Sequence, residues 1–333
     1  MIVNLYQFFV LKQVICSGIS LISKKYACVF QGRCFEGNER HAIRGVGMST
    51  VQIPDYKTDS FFGLEDKWIE TAEGELTHYH EVGEGTPILF LHGSGTGVSA
   101  AANWWLNLPQ IGEQARCIAI DTIGYGQTVV APGTEYGIRA WVDHAIRTLD
   151  ALGIEKTWLV GNSLGGWLAF QLALDYPERV LGIVSMGTGG AKQTAALKAH
   201  ANPVLTEEGI KKTLSMFVVN KDLITDELVK VRFASAANDY ASNRLMDVVG
   251  ARDRDRFEFP LDFDKMKDIT VPVLLIHGTQ DVVIPVSRTW DILNIVPNAD
   301  AHIFSQCGHW SQVEKADEFN TVIKNYLAVH GVK

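Results

Sequence analysis

The sequence has little cysteine and no spaced cysteine pattern. It contains five cysteines in 333 residues, and Cys16, Cys28 and Cys34 lie near the N-terminus. Cys117 and Cys307 are the two in the remainder, and no C-x-x-C pair occurs. This distribution excludes a disulfide framework of the secreted type, so we expect a reducing compartment and a cytoplasmic location.

Long apolar runs are missing as well. The N-terminal patches at residues 8–11 and 14–16 are interrupted by Lys12, whereas a membrane-spanning helix takes about 20 apolar residues. The N-terminus also lacks the charge order and the small-residue cleavage site of a signal peptide. We therefore expect no membrane partner and place residues 1–47 outside the fold. Two interpretations of this extension stay open: translation that starts at Met48, or a weak targeting or membrane-associated segment.

The chain has no excess of positive charge. Its formal net charge is -8 at pH 7, which argues against a nucleic-acid partner and favours a small-molecule ligand. The phosphate-loop pattern G-x-x-x-x-G-K-[ST] does not occur. His78 and His80 would share one strand face, but no acidic or cysteine partner stands at ligand spacing, so we expect no metal ion.

The motif around which the chain is organised is Gly-Asn-Ser-Leu-Gly-Gly at residues 161–166. An apolar run at residues 157–160 predicts a buried strand before it, and residues 167–173 predict a helix after it. Strand, sharp turn and helix form the context of a nucleophile elbow, in which small flanking residues let strand and helix approach closely. The pattern predicts that Ser163 is exposed at the apex of a strained turn.

Alternating strands and helices predict the fold class. Apolar runs predict strands at residues 87–91, 116–120, 157–160, 180–186, 271–278 and 301–304, with a helix over 138–152 and a C-terminal helix from about Asp317. Residues 68–72 and 76–82 predict a hairpin. Hydrophobic residues make up 47% of the chain, which is enough for a large core. We therefore predict an α/β protein with a mostly parallel twisted sheet and helices on both faces.

The alternation stops after the sixth predicted strand. Residues 189–265 carry helical patterns, and a segment of this length is too long for a connecting loop, so we predict a helical lid over the active site. The core would then comprise residues 48–188 and 266–333. Within the lid, Thr225 is predicted as a helix N-cap. Arg232 falls on or beside the apolar face of that helix, where it must either reach solvent or meet an anion.

Three chemically complementary residues each follow the end of a predicted strand. They are Ser163, Asp281 and His309, in the chain order of α/β-hydrolase triads. Strand ends of a parallel sheet meet at one edge, so His309 is the predicted base for Ser163 and Asp281 the predicted partner of His309. A Gly-rich turn at residues 92–97 and the N–H of Leu164 would form an oxyanion hole.

Four segments show a resemblance to a known family. They are residues 92–95 with Asn103-Trp104, residues 161–166, residues 222–228 leading to Arg232-Phe233, and residues 306–310 with 312–315. From about Val82 to Leu327 the chain resembles the meta-cleavage product hydrolases, α/β-hydrolases that cut a carbon–carbon bond in ring-fission products of aromatic and steroid catabolism. The triad motifs alone recur across many α/β-hydrolases, whereas the asparagine before the nucleophile, the tryptophan after the histidine and the lid arginine are more specific.

The resemblance implies roles for further residues. Arg232 and Trp310, with Asn162, would hold the dienoate end of a 2-hydroxy-6-oxohexa-2,4-dienoate. Ser94 and Leu164 would supply the oxyanion contacts. Gly93 and Phe217 would line the substrate pocket. The products would be 2-hydroxypenta-2,4-dienoate and a carboxylic acid, with Ser163 or a water activated by His309 as the nucleophile. We further expect a homo-oligomer that needs no cofactor.

The chain departs from the family pattern at two places. Members usually have proline where this chain has Thr96, and a Ser/Thr-Asp pair near residues 127–129, where this chain has Gln-Thr-Val. Both lie near the predicted pocket, so the substituent on the distal ketone stays open.

Two rival functions also stay open. A carboxylesterase or lactonase would share the triad but would not need Arg232. A non-catalytic ligand-binding protein of the same fold is the other alternative.

Overall fold

The structure is a computed structural model that describes residues 42–43, 51–52, 62–190, 205–241 and 244–332. Strand β1 (Ala42–Ile43) pairs antiparallel with β2 (Val51–Gln52). Apart from β1, the predicted N-terminal extension, residues 1–47, lies outside the described residues. The same holds for residues 191–204 of the predicted lid and for Met48.

The other strands of the described chain form one sheet of eight. They are β3 (Lys67–Ala72), β4 (Glu75–Val82), β5 (Pro87–Leu91), β6 (Arg116–Ile120), β7 (Thr157–Asn162), β8 (Val180–Met186), β9 (Val273–Gly278) and β10 (Ala299–Phe304), in the order β10-β9-β8-β7-β5-β6-β4-β3. The five pairings from β6 to β10 are parallel, and β3 and β4 add an antiparallel edge. The predicted hairpin and the mostly parallel sheet are confirmed.

Helices cover both faces of this sheet. The core helices are α1 (Ala100–Trp104), α2 (Leu108–Ile111), α3 (Ile138–Ala151), α4 (Leu164–Asp175), α9 (Ser287–Leu293), α10 (Ser311–Glu314) and α11 (Ala316–Val329). Side chains alternate along each strand, so Phe90 joins a core cluster with Trp104 and Phe319 while Leu91 joins another with Trp141. A strand buried on both faces is continuously apolar, which is why β5 was recognisable in the sequence.

The described residues between the sixth strand of the large sheet, β8, and the seventh, β9, contain four further α-helices. They are α5 (Glu207–Phe217), α6 (Asp226–Ala241), α7 (Arg244–Glu258) and α8 (Phe263–Met266). The predicted cap of α6 is confirmed, because the Thr225 hydroxyl accepts the N–H of Leu228 at 3.2 Å. The domain boundaries at residues 188, 189, 265 and 266 stay a prediction.

None of the helices in the described part of the chain combines the length and apolar character that crossing a membrane requires.

Candidate active site

Ser163 stands at the sharp turn between β7 and α4. Its φ of 55° and ψ of -108° are strained for a residue with a side chain, as predicted. A Cβ on Gly161 would lie 2.2 Å from the carbonyl oxygen of Gly165, and one on Gly165 would lie 2.0 Å from that of Leu91. Only glycine fits at these two positions, because the helix packs directly against the strand backbone.

His309 and Asp281 lie together at the same sheet edge. The imidazole Nδ1 is 2.7 Å from Asp281 Oδ2, and both side chains are buried. Asp281 Oδ1 accepts the backbone N–H groups of Val283 and Ile284 at 2.8 and 2.9 Å. Burial by itself would raise the pKa of Asp281, but the nearby His309 charge and the histidine hydrogen bonds outweigh it and hold the pKa far below its usual range. A carboxylate held in this way keeps a proton on Nδ1 of His309, so that Nε2 can accept one.

A second histidine, His277, also contacts Asp281 and was not recognised in the sequence. Its Nε2 lies 3.1 Å from Asp281 Oδ2 and 2.9 Å from the carbonyl oxygen of Ile284, while its Nδ1 lies 2.8 Å from the Thr289 hydroxyl. An Nε2–H that faces two acceptors orients the carboxylate toward His309. The only sequence signal for this residue was its place at the end of a buried strand.

One cavity collects most of the predicted site residues. It contains about 340 Å³ of space free of protein atoms, part of which is open to solvent. Its lining comprises Gly93, Ser94, Gly95, Val98, Asn103, Asn162, Ser163, Phe217, Arg232, Val283, His309 and Trp310. Asp281 lies behind His309 and outside the lining. Leu164 is likewise not part of it, because its side chain packs into the core while its backbone N–H opens helix α4.

The turn after β5 is anchored by His92. Its Nε2 accepts the N–H of Thr122 at 3.1 Å, so its Nδ1 carries the proton that is donated to the carbonyl oxygen of Gly93 at 2.6 Å. Burial lowers the pKa of His92, which favours this neutral form. The turn therefore holds Gly93 and Ser94 against the cavity without placing a charge there.

Arg232 reaches the cavity from α6 and is fully buried. Its Nη2 donates to the carbonyl oxygen of Thr96 at 2.9 Å, and its guanidinium carbon lies 5.4 Å from the centre of the Trp310 ring. Burial lowers the pKa of Arg232 to about 9, so the group stays protonated at neutral pH. Its Nε and Nη1 find no hydrogen-bond partner within the described residues. Of the two alternatives for this arginine, the structure excludes contact with solvent.

Two buried asparagines face the same space. Among the residues that the structure describes, Asn162 Nδ2 has no hydrogen-bond partner, and neither does Asn103 Oδ1 or Nδ2. Phe217 also lines this space, with its ring 5.7 Å from His309 and 5.3 Å from Trp310. The backbone N–H of Trp310 also donates to the Phe217 carbonyl oxygen at 2.9 Å, so a hydrogen bond connects the end of helix α5 to the His309 loop. Asn103 belonged to a recognised motif but was not assigned to the site.

The histidine pair on β4 has an acidic partner that sequence spacing did not reveal. Asp66 Oδ1 lies 2.8 Å from His78 Nε2 and 3.7 Å from His80 Nδ1. The expectation that no acid stands at ligand distance was therefore wrong, because the hairpin returns Asp66 beside β4. His78 Nδ1 is itself 2.7 Å from Asp121 Oδ2, so both nitrogens of this ring already face a carboxylate. The arrangement is that of an ion-paired bridge.

Comparisons with known proteins agree on one family. A family model described as the alpha/beta hydrolase fold matches residues 86–316. The chain is 36% identical to a 2-hydroxymuconate semialdehyde hydrolase of Pseudomonas sp. strain CF600 over 77% of this chain and 92% of the relative. It is 33% identical to a 2-hydroxy-6-oxo-2,4-heptadienoate hydrolase of Pseudomonas putida over 77% of this chain and 94% of the relative.

Solved structures give the same result. The meta-cleavage product hydrolase CumD of Pseudomonas fluorescens IP01, a serine-to-alanine mutant with acetates bound, superposes with a TM-score of 0.75 at 36% identity. The match covers 80% of this chain and 98% of that one. The protein therefore belongs to the meta-cleavage product hydrolases, carbon–carbon bond hydrolases with the α/β-hydrolase fold that act on ring-fission products of aromatic catabolism.

Proposed function

We propose that this protein hydrolyses the bond between C5 and C6 of 2-hydroxy-6-oxohexa-2,4-dienoates. The products are 2-hydroxypenta-2,4-dienoate and the carboxylic acid derived from the ketone. In this proposal Ser163 is the nucleophile, His309 the base and Asp281 its partner. Arg232, Asn162 and Trp310 bind the dienoate end, and Gly93 and Phe217 enclose the substrate.

The observation that carries this proposal is a set of polar groups without hydrogen-bond partners among the described residues, in the cavity that Ser163 and His309 also line. Buried polar atoms without a partner in the described part of the chain are Arg232 Nε and Nη1, Asn162 Nδ2 and both side-chain polar atoms of Asn103. Burying a cation and amide groups unpaired is costly, so such an array favours a ligand with an anionic oxygen-rich end. A 2-oxo or 2-hydroxy carboxylate has that chemistry, whereas a simple ester does not require it.

The chemistry explains why an arginine lines the same cavity as Ser163. Carbon is a poor leaving group unless the electrons of the broken bond are delocalised. Moving the proton of the 2-hydroxyl to C5 gives a 2-oxo-3-ene. When the C5–C6 bond breaks, its electron pair then moves through C4 and C3 to the C2 oxygen. Arg232 stabilises the charge that arrives there.

At the other end, Ser163 attacks the C6 carbonyl as His309 takes its proton. The oxygen that becomes negative is bound by the Leu164 N–H and the Ser94 hydroxyl in our proposal. Support comes from the strained backbone of Ser163, which lifts its hydroxyl into the cavity beside the first turn of α4. Bond cleavage leaves an acyl group on Ser163, and water removes it as the carboxylic acid.

The test is the loss of the yellow absorbance of 2-hydroxy-6-oxohepta-2,4-dienoate on adding the full-length chain. Ser163→Ala and His309→Ala should each lower the rate by about 10³-fold or more. Hydrolysis of p-nitrophenyl esters without any dienoate cleavage would contradict the proposal and establish the esterase alternative. Binding of the dienoate without turnover would instead favour a ligand-binding protein.

Arg232 gives a sharper prediction. Arg232→Met keeps the length of the side chain and removes the charge, so kcat/KM on the dienoate should fall about 100-fold or more while hydrolysis of a p-nitrophenyl ester changes little. Arg254→Met, on the half-exposed face of α7, is the matched control. An equal loss on both substrates would mean that Arg232 maintains the structure of the site only.

For location and assembly we propose a cytoplasmic homo-oligomer. The low cysteine count supports the first part, and the exposed apolar side chains of Phe257 and Met246 on α7 support the second. Light scattering coupled to size exclusion tests the assembly, and a monomeric mass would contradict it.

A further inference from the structure

Helix α7 places a second buried arginine behind the turn that carries Ser94. Arg252 is 2% exposed, and its Nη1 lies 3.2 Å from the Ser94 carbonyl oxygen and 3.4 Å from the Ser94 hydroxyl oxygen. A side cavity lies on this side of the turn and includes Ser94, Tyr125, Asp239 and Arg252 in its lining. Arg252 thus approaches Ser94 from the side opposite to the substrate cavity that Ser94 also lines.

A carboxylate also contacts the other edge of this guanidinium. Arg252 Nε donates to Asp253 Oδ1 at 3.0 Å, whereas Nη2 lies 3.0 Å from the same oxygen but makes no hydrogen bond within the described residues. This oxygen also accepts Arg256 Nη1 at 3.0 Å, one turn further along the helix. Because the guanidinium is held at Nε by its own helix and at Nη1 by Ser94, its freedom to rotate is limited, and the direction of Nη1 depends on the lid helix.

The protons in this contact have one consistent arrangement. Arginine has only donors, so the Ser94 hydroxyl oxygen can take part in the contact only as an acceptor. Its own hydrogen then remains available for a third group, and donation from a cation makes that hydrogen a better donor. The second N–H of Nη1 can bind the Ser94 carbonyl oxygen, which fixes the backbone of the turn.

We propose that Arg252 is a positioning residue that orients Ser94 so that its hydroxyl donates to the oxygen of the attacked ketone. This inference rests on the proposed role of Ser94 in the oxyanion hole. The two lid arginines then have separate tasks: Arg232 binds the end of the substrate that receives the electrons, and Arg252 acts through Ser94 at the carbonyl that is attacked. Assembly of the oxyanion hole depends on the position of α7.

A double-mutant cycle on the full-length enzyme tests this inference. Single-turnover rates of dienoate cleavage, with kcat and KM, are measured for wild type, Ser94→Ala, Arg252→Met and the double variant. We expect Ser94→Ala to lower the rate by about 100-fold and Arg252→Met by about 10-fold, with KM within about threefold of wild type. The double variant should be no slower than Ser94→Ala, because Arg252 acts only through that hydroxyl.

Three controls separate the possible causes. Arg254→Met, on the same helix, should leave the rate unchanged, and melting temperatures report whether Arg252→Met only loosens the lid. Arg252→Lys, which keeps a donor, should recover part of the rate. Rate losses that multiply in the double variant, or a lower melting temperature with an unchanged rate, would overturn the role of Arg252.

The cycle also distinguishes failure of this inference from failure of the proposed function. If wild type cleaves the dienoate but Ser94→Ala does so equally fast, both the Ser94 and the Arg252 roles are overturned while the carbon–carbon hydrolase stands. If wild type does not cleave any dienoate, the proposed function itself is overturned, and this inference with it.

Discussion

At the scale of single residues, the side chain of Asp281 is held in one orientation by its contacts. Four groups approach its two oxygens: the imidazoles of His277 and His309 on Oδ2, and the backbone N–H groups of Val283 and Ile284 on Oδ1. Every one of these contacts needs an acceptor. An ionised carboxylate is the only natural side chain of this size that accepts at both oxygens, which is why the pKa of Asp281 lies below its usual range.

Asp281→Asn should therefore damage catalysis far more than folding. The amide has one acceptor oxygen, which we expect to bind the two backbone N–H groups. Its NH₂ would then face His309 Nδ1 and favour the tautomer with the proton on Nε2, which cannot accept a proton there. We expect kcat to fall about 10³- to 10⁴-fold, measured by dienoate absorbance. Asp317→Asn, in the first turn of α11, is the control. A loss below about tenfold for Asp281→Asn would contradict the assigned role.

At the scale of elements, the contact between β7 and α4 determines the position of Ser163, the proposed nucleophile. The helix starts one residue after Ser163, and the backbones of strand and helix touch at Gly161 and Gly165. Glycine is required at these positions for a steric reason, because an added Cβ would overlap carbonyl oxygens that cannot move without shifting the sheet. The elbow is thus a packing feature of two elements.

A pair of glycine substitutions tests this. Gly165→Ala should lower the free energy of unfolding by about 3 kcal/mol or more, because the new methyl would overlap the Leu91 carbonyl oxygen. Gly250→Ala lies within helix α7 with nothing within 4 Å of the added Cβ, and it should raise the free energy of unfolding by about 0.5–1 kcal/mol. Urea unfolding of both variants provides the measurement. Equal effects would mean that backbone approach does not limit the elbow.

At the scale of the whole molecule, the bridge formed by Asp66, His78 and Asp121 joins three parts of the chain. Asp121 follows β6, and it also accepts the N–H groups of Ala100 and Gln127 at 2.6 and 2.8 Å. Burial by itself would lower the pKa of His78, but the hydrogen bonds and charges of the two carboxylates outweigh burial, and the pKa is raised above its usual value. Burial likewise opposes ionisation of Asp121, yet the hydrogen bond and charge of His78 lower its pKa to about 2.

The pH dependence of stability follows from these directions. The raised pKa of His78 means that its contribution is full below about pH 6.5 and is lost as the pH rises through the folded-state value. The lowered pKa of Asp121 means that its contribution is present above about pH 4 and is lost as the pH falls toward 2. The bridge therefore stabilises the fold most between these limits.

His78→Gln should accordingly cost more stability in mild acid than in base. We expect a loss of about 2–4 kcal/mol at pH 5.5, shrinking toward pH 9, in chemical unfolding of both proteins across that range. His302→Gln, a partly exposed histidine on the edge strand β10, is the control and should show no such trend. A loss that is independent of pH would mean that His78 is neutral in the folded protein.

The sequence by itself determined the parts of this protein that depend on local physics. Runs of apolar residues identified the buried strands, because a strand covered on both faces has no polar positions, and small residues around Ser163 identified the elbow. The order of Ser163, Asp281 and His309 at strand ends was enough to propose one site, since parallel strands end at a common edge. The family was recognisable from motifs for the same reason.

Only the tertiary structure decided which distant groups meet. Arg252 meets Ser94 through packing between elements far apart in the chain, and Asn103 has no side-chain partner among the described residues of the cavity. Asp66 and His78, twelve residues apart, meet because β3 pairs with β4, and His277 and Asp281, four residues apart, meet because of the turn that follows β9. Local periodicity carries no information on such contacts, because each results from the positions of several elements at once. That Nε and Nη1 of Arg232 have no hydrogen-bond partner among the described residues, which supports the proposed carboxylate substrate, likewise became visible only when every neighbour was in place.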